Sequence, residues 1–337
     1  VTAACIFGCA GLELTTEEAA FFQGAKPWGF ILFQRNIETP DQVRRLTDAL
    51  RAAVDRPDAP ILIDQEGGRV QRLGPPGWPR YPAGRAYARL AANDPMTGRA
   101  VARLGARLIA ADLRALGITV DCAPVLDVPV KGAHDIIGDR AYGDAADEIA
   151  ALGRAFAEGL IAGGVLPVIK HIPGHGRAGA DSHLALPLVD APLPALETDF
   201  APFRVLSDMP MAMTAHVVYS AIDAKRPATT SPAVMRMMRH DLGFGGLIMS
   251  DDLSMKALQG DFAGRARRAL HAGCDVVLHC NGDMAEMVAV AKGTRTLRGI
   301  SKARATAALA RLPRTPEPFD QAEARARFAA VFPDLNP

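Results

Sequence analysis

The sequence predicts an α/β protein built as one (β/α)8 barrel of the TIM type, on three observations. Eight short apolar runs recur along the 337 residues, with amphipathic helical stretches between them. Strand then helix, repeated, requires a parallel sheet, and eight such units are the number that closes a barrel. Nearly every run ends in polar residues. Barrel enzymes carry their chemistry at the C-terminal strand ends, whereas an open doubly wound sheet gathers it at one switch point.

Taken in order, the expected strands are residues 4–8, 29–33, 61–64, 119–125, 165–170, 211–216, 246–250 and 276–279. From the second onward they lead into Gln34-Arg35-Asn36, Asp64-Gln65-Glu66, Asp127, Lys170-His171, Thr214 with His216, Ser250-Asp251-Asp252, and His279 with Asn281. The run ending at Ile169 is β-branched and bounded by glycine, as suits a strand buried on both faces. Helical patterns cover residues 39–54, 95–116, 145–162, 193–207 and 232–242. Residues 292–314 hold seven basic side chains and no acidic one. A basic stripe can bind nucleic acid, but a solvated outer helix is the commoner meaning. Pro313, Pro316 and Pro318 then precede a last amphipathic helix near residues 321–332. The expected organisation is a single catalytic domain over residues 1–337, with the helices from about residue 292 packed outside the barrel.

Composition narrows the function. With 38 Lys and Arg against 37 Asp and Glu, the chain as a whole presents neither a nucleic-acid field nor a partner for polyacids, so a small-molecule substrate is expected. No apolar run approaches the roughly 20 residues that span a bilayer, and the N-terminus lacks a basic export signal. The five cysteines are odd in number and lack Cys-x-x-Cys spacing, which fits a reducing compartment. The expectation is a cytoplasmic protein with no membrane or nucleic-acid partner; the sequence is silent on oligomeric state.

Chemistry concentrates in Lys170-His171-Ile172-Pro173-Gly174-His175-Gly176, followed by Asp181-Ser182-His183. Three His, one Lys and one Asp on a Gly- and Pro-rich loop are more than a connection needs. The histidines with Asp181 contain enough ligands for zinc, but they lack a compact helical His pair. Asp251 and Asp252 at a strand tip can cap a helix beginning at Met255, yet capping accounts for one carboxylate more easily than for two. A carboxylate at a barrel mouth suits glycosyl transfer, whose transition state carries positive charge. The proton donor is then best sought in His183, with Asp181 holding its tautomer and favouring its charged form. In Asp64-Gln65-Glu66-Gly67-Gly68-Arg69-Val70-Gln71-Arg72 the glycines and arginines do not form a Walker pattern, and Asp64 suits vicinal hydroxyls better than phosphate.

Together the blocks running Asp64 to Arg72, Lys170-His171-x-Pro-Gly-His175-Gly, Asp181-Ser182-His183 and Ser250-Asp251-Asp252-Leu253-Ser254-Met255 resemble the bacterial β-N-acetylhexosaminidases of glycoside hydrolase family three. Their order and spacing match over most of the chain; Ile172 stands where Phe is common, which bears on packing more than on chemistry. The resemblance implies a metal- and cofactor-free, retaining exo-β-N-acetylglucosaminidase working through a covalent glycosyl-enzyme. It puts the nucleophile at Asp251, the acid/base at His183 with Asp181 as dyad partner, and sugar-binding side chains at Asp64, Arg72, Arg140, Lys170 and His171. Short, single-domain members recycle peptidoglycan, which implies N-acetylglucosaminyl-1,6-anhydro-N-acetylmuramic acid, with or without peptide, as substrate. Two rivals remain at this stage: a metal-dependent hydrolase using the loop histidines, and a sugar-binding protein without catalysis.

Overall fold

A computed structural model of the chain describes residues 1–182 and 184–335. Eight parallel strands close a barrel: β1 (Ala3–Phe7), β2 (Pro27–Leu32), β3 (Ile61–Ile63), β4 (Val120–Asp121), β5 (Leu166–Ile172), β6 (Met211–Thr214), β7 (Leu247–Asp252) and β8 (Val276–His279). Each pairs with its neighbours in sequence, and β1 closes on β8 with Cys5, Ile6 and Phe7 beside Val277, Leu278 and His279. Strands covered on both faces need apolar side chains at successive positions, and the fully buried Ile61, Leu62 and Ile63 of β3 meet that need.

Among the described residues the layer around the barrel comprises α1 (Thr16–Ala25), α2 (Pro40–Ala53), α3 (Gly84–Asn93), α4 (Pro95–Arg114), α5 (Ala146–Ala162), α6 (Leu193–Val205), α7 (Pro232–His240), α8 (Phe262–Ala272), α9 (Met284–Gly293), α10 (Gly299–Leu309) and α11 (Gln321–Val331). Most start at a side-chain cap. Thr15 and Glu18 form a reciprocal capping box at α1, and Asp94, Asp261, Asp283 and Asp320 each accept a first-turn N–H. The helix α11 lies on α4, where Phe328 fills the space above Gly105 and its ring sits 6.0 Å from that of Tyr81. Barrel strands and helix faces share one contiguous apolar core.

Two readings need correction. The fourth strand is a two-residue ladder rather than residues 119–125, because Pro124 has no N–H to give; Val125 rejoins the sheet only by a bridge to Lys170. The helix that Met255 could have begun does not form: residues 253–258 are turns and bends, and the next helix waits for its cap at Asp261. The basic stretch of residues 292–314 takes in the end of α9, all of α10 and the turns around them.

Candidate active site

The C-terminal strand ends converge on a cavity of ≈ 190 Å³ lined by Asp64, Arg72, Arg140, Lys170, His171 and Asp251. Of the seven expected site residues that the structure describes, these six face one space, and Asp181 does not line it. Glu66, His175, Ser182 and Asp252 complete its polar wall.

One side of the cavity is an ionic cage. Asp64, just past β3, takes Lys170 Nζ on Oδ1 at 2.8 Å and Arg72 Nη2 on Oδ2 at 3.0 Å. Glu66 takes the same Lys170 Nζ at 2.7 Å and a two-pronged Arg140 guanidinium at 2.8 and 2.9 Å. The chain reaches this geometry through a hairpin of Gln65–Gly67 with Val70–Gln71. Gly67 and Gly68 turn it with φ of 93° and 59°, and a Cβ on Gly67 would lie 2.2 Å from the Pro82 carbonyl oxygen, so no other residue fits.

Burial alone would raise both carboxyl pKa values, but the adjacent cations outweigh it. Asp64 is held well below the usual carboxylate range by Lys170 and Arg72, and Glu66 is lowered to about 2 by Arg140 and Lys170. Burial likewise works against the Lys170 ammonium, and Asp64 and Glu66 reverse it, so Lys170 stays charged. Three cations face two carboxylates here, a net charge of one positive unit. Beneath them Asp121, fully buried, has its pKa raised well above the ordinary value by burial. Its Oδ1 accepts the Gln65 N–H at 2.9 Å and ties β4 to the start of the hairpin.

Asp127, which the sequence offered only as a strand-end polar residue, organises the next segment. Its Oδ2 lies 2.7 Å from His171 Nδ1, while Oδ1 accepts the N–H of His171 at 3.1 Å and of His175 at 2.7 Å. Burial opposes its ionisation, but His171 more than compensates and the Asp127 pKa is lowered. A charged Asp127 can only accept, so His171 Nδ1 carries the proton. His175 differs: burial, then the neighbouring His171, lowers it to about 4, and it is neutral at pH 7. The loop beyond is anchored by Tyr219 donating to the Gly174 carbonyl at 2.5 Å and by Arg177 Nε donating to Asp199 Oδ2 at 2.5 Å.

Opposite the cage, Asp251 occupies the penultimate position of β7 and is 7% exposed. Its Oδ1 accepts the Asp252 N–H at 2.8 Å, and among the described residues no Lys or Arg comes within ion-pair distance of it. Asp252 is fully engaged: Oδ1 accepts the N–H of Ser254 at 3.0 Å and of Cys280 at 3.1 Å, and Oδ2 accepts the Ser254 hydroxyl. It fastens the end of β7 to the end of β8. Neither carboxylate caps a helix.

A second buried chain fixes the backbone of Asp251, whose N–H donates to Thr214 Oγ1 at 3.3 Å. His216 Nε2 lies 2.9 Å from the Asp252 carbonyl oxygen and therefore donates to it. Burial lowers the His216 pKa, with Asp251 the chief opposing influence, so the ring is neutral and Nδ1 accepts the Thr229 hydroxyl at 2.7 Å. Thr229 Oγ1 in turn lies 2.7 Å from Thr214 Oγ1. Nothing in the spacing of Thr214, His216 and Thr229 announces this network; only the fold brings them under the β7 tip.

His183 lies outside the described residues. Its neighbour Ser182 is buried, lines the cavity, and offers its carbonyl to the Ala257 N–H at 3.1 Å, in the turn just after Asp251-Asp252. Asp181 is half-buried, and its carbonyl accepts the N–H groups of Leu184 and Ala185 at 2.9 and 3.0 Å. Among the described residues no three His, Cys, Asp or Glu side chains are grouped to hold a metal, a set that does not include His183. The five cysteines are all buried and free.

Residues 13–315 match the glycosyl hydrolase family 3 N terminal domain. The beta-hexosaminidase of Methylococcus capsulatus is 42% identical over 281 residues, 82% of each chain. Among solved structures, NagZ from Neisseria gonorrhoeae in complex with N-trifluoroacetyl-D-glucosamine superposes with a TM-score of 0.86 at 33% identity, covering 98% of each chain. The same Neisseria protein in complex with zinc ion superposes with a TM-score of 0.85 at 32% identity, again over 98% of each chain.

Proposed function

Because the chain belongs to glycosyl hydrolase family 3, we propose that it is a β-N-acetylhexosaminidase releasing terminal N-acetylglucosamine with retention, through a covalent glycosyl-enzyme on Asp251. The observation that carries this reading is the asymmetry of the cavity. Among the described residues Asp251 and its neighbour Asp252 lack a cationic partner, while Asp64 and Glu66 across the mouth are each tied to Lys and Arg. An anion left without a cation is available to a developing oxocarbenium centre. Asp252 is the weaker candidate, since both its oxygens are occupied.

In the first step Asp251 Oδ2 attacks the anomeric carbon, with Oδ1 held by the Asp252 N–H. The glycosidic bond breaks, and His183 gives its proton to the departing oxygen. In the second, neutral His183 takes a proton from water, which attacks the same carbon and frees the Asp251 carboxylate. Support for His183 in this role is the position of Ser182, next to it in the chain and on the wall of the cavity that holds Asp251. Asp181 favours the charged imidazolium. Asp64, Arg72, Arg140, Lys170 and His171 bind hydroxyls of the terminal sugar. Their lengths are fixed by the cage before substrate arrives, so little ordering is spent on binding.

A cavity of ≈ 190 Å³ is smaller than the roughly 300–1,000 Å³ of pockets for drug-sized ligands, which supports one sugar ring and hence exo action. The Neisseria relative bound to N-trifluoroacetyl-D-glucosamine supports a 2-acylamino sugar at that position. The proposed substrate is the disaccharide N-acetylglucosaminyl-1,6-anhydro-N-acetylmuramic acid, with or without peptide, consumed in peptidoglycan recycling in the cytoplasm. The relative in complex with zinc ion favours a second reading, in which a metal serves the loop histidines. Turnover of aryl β-N-acetylglucosaminide, little turnover of the matching glucoside, and activity that persists after exhaustive chelation support the first reading. Activity lost with the metal and restored by zinc supports the second.

A further inference from the structure

The basic run of residues 292–314 does not make one charged face. Arg304 is spent on Asp275 at 3.2 Å, and Arg311 donates to the Asp208 carbonyl. Lys292 and Arg295 instead line a groove on the flank of the barrel beside α8, where they meet Lys225, Arg226, Arg267 and Arg268 from two other parts of the chain. Among the described residues no Asp or Glu lines this groove, whose volume is ≈ 1080 Å³. In a chain whose formal net charge is only +1, six cations around one concavity form a concentrated positive field.

Two of these cations are positioned by backbone oxygens, and among the described residues none is neutralised by an acidic partner. Arg268 donates to the Gln259 carbonyl and Arg295 Nη2 to the Leu270 carbonyl at 3.2 Å, so backbone oxygens hold the guanidiniums in place without cancelling their charge. Two acidic side chains stand at the margin. Asp223, near Arg226, accepts from Ser231 Oγ at 2.7 Å and from the Lys225 N–H at 3.1 Å, and Asp261 is committed to the Gly264 N–H at 2.6 Å as the cap of α8. Among the described residues none of the six cations lies within ion-pair distance of either. Pro227, Pro232, Leu258 and Leu270 give the groove an apolar wall.

We propose that this groove binds a small phosphate-rich anion, of the class of a nucleoside di- or triphosphate or an inorganic polyphosphate, at a site separate from the barrel mouth. Four arginines favour phosphate, whose oxygens match the guanidinium fork and whose charge density balances six cations over a short length. Concavity selects a small ligand. A nucleic acid needs a continuous basic track, and Arg304 and Arg311, which would extend one, are turned to Asp275 and to a carbonyl.

Calorimetric titration of the full chain with tripolyphosphate, pyrophosphate, ADP and a duplex DNA of about 20 base pairs tests this at low and moderate salt. The expected result is saturable one-site binding of tripolyphosphate that weakens as salt rises. An R267E/K292E double variant, altered only at exposed positions, should lose at least about 10-fold in affinity while keeping its melting temperature and its aryl-glycoside turnover. Tighter binding of ADP than of pyrophosphate assigns the site to a nucleotide, and equal binding assigns it to the phosphate chain. The proposal is overturned by absence of saturation with every phosphate, by binding that the double variant leaves intact, or by duplex DNA binding more tightly than tripolyphosphate.

Discussion

Two groups of carboxylates share the barrel mouth and are treated in opposite ways. Asp64 and Glu66 sit among Lys170, Arg72 and Arg140, with every oxygen in an ion pair and both pKa values driven down. Asp251, across a cavity of ≈ 190 Å³, is held by one backbone N–H and by the strand beneath it. The first arrangement suits binding, because a cage whose charges balance to within one positive unit presents hydrogen-bonding groups in fixed places. The second suits bond formation, because a carboxylate saturated by cations is a poor nucleophile. The same chemical group thus serves two purposes, and neighbouring charges decide which.

The largest effect that can break this contrast is at Asp251. Asp251→Asn keeps size and removes the anion, and kcat should fall by at least about 10³-fold with the fold intact. An equal loss in Asp252→Asn, with unchanged melting temperature, would move the nucleophile one residue along. The acid/base assignment comes next. On the natural disaccharide His183→Ala should cost about 10²- to 10⁴-fold. With a dinitrophenyl leaving group, which needs no proton, its first step should be nearly spared and a burst should appear as glycosyl-enzyme accumulates. Asp181→Asn should give a milder version of the same behaviour. An equal loss on activated and unactivated substrates, with only KM raised, contradicts a proton-transfer role for His183.

The cage can be tested by stability rather than rate. Lys170→Met removes the cation that Asp64 and Glu66 share and leaves each with one arginine, and denaturant unfolding should show a loss of about 1–3 kcal/mol, the usual cost of leaving a buried charged group short of a hydrogen-bond partner. A loss below about 1 kcal/mol means the cage is solvated and does not differ in this respect from the Asp251 side. Its pH dependence follows from the signs. Glu66 has a folded pKa of about 2 against an ordinary 4.5, so its contribution is present above pH 4.5 and disappears as pH falls toward about 2. Glu66→Gln should therefore flatten the stability curve across that acid window relative to wild type. The smallest expected effect is none at all: aryl-glycoside turnover should be unchanged in chelator, since glycosyl transfer through Asp251 uses no Lewis acid.

The barrel was legible because strands buried on both faces must be apolar runs, and those runs are short, evenly spaced and tipped with polar residues. Its helices were less so. In α1 and α9 apolar side chains are not confined to one face, with Phe21 and Phe22 adjacent in one and Met284, Met287, Val288 and Val290 spread around the other, so periodicity is weak. At the site, Asp64, Arg72, Arg140, Lys170, His171 and Asp251 were all anticipated as residues of the mouth, and the structure puts them there. Glu66 was named only among the polar strand-end residues and given no role, because its partner Arg140 is 74 residues away and pairing at that distance leaves no local pattern. Asp127 and His216 escaped for the same reason: each acts on a neighbour brought close by the barrel, Asp127 on His171 and His216 on the Asp252 carbonyl.

The central claim, that Asp251 forms the covalent bond, is tested most directly by trapping. Wild-type protein incubated with a 2-deoxy-2-fluoro glycosyl donor carrying a good leaving group should gain the mass of one fluorosugar. Digestion followed by fragment mass spectrometry should then place that mass on Asp251. Label on Asp252, or on a residue of the Asp64 and Glu66 cage, would contradict the account.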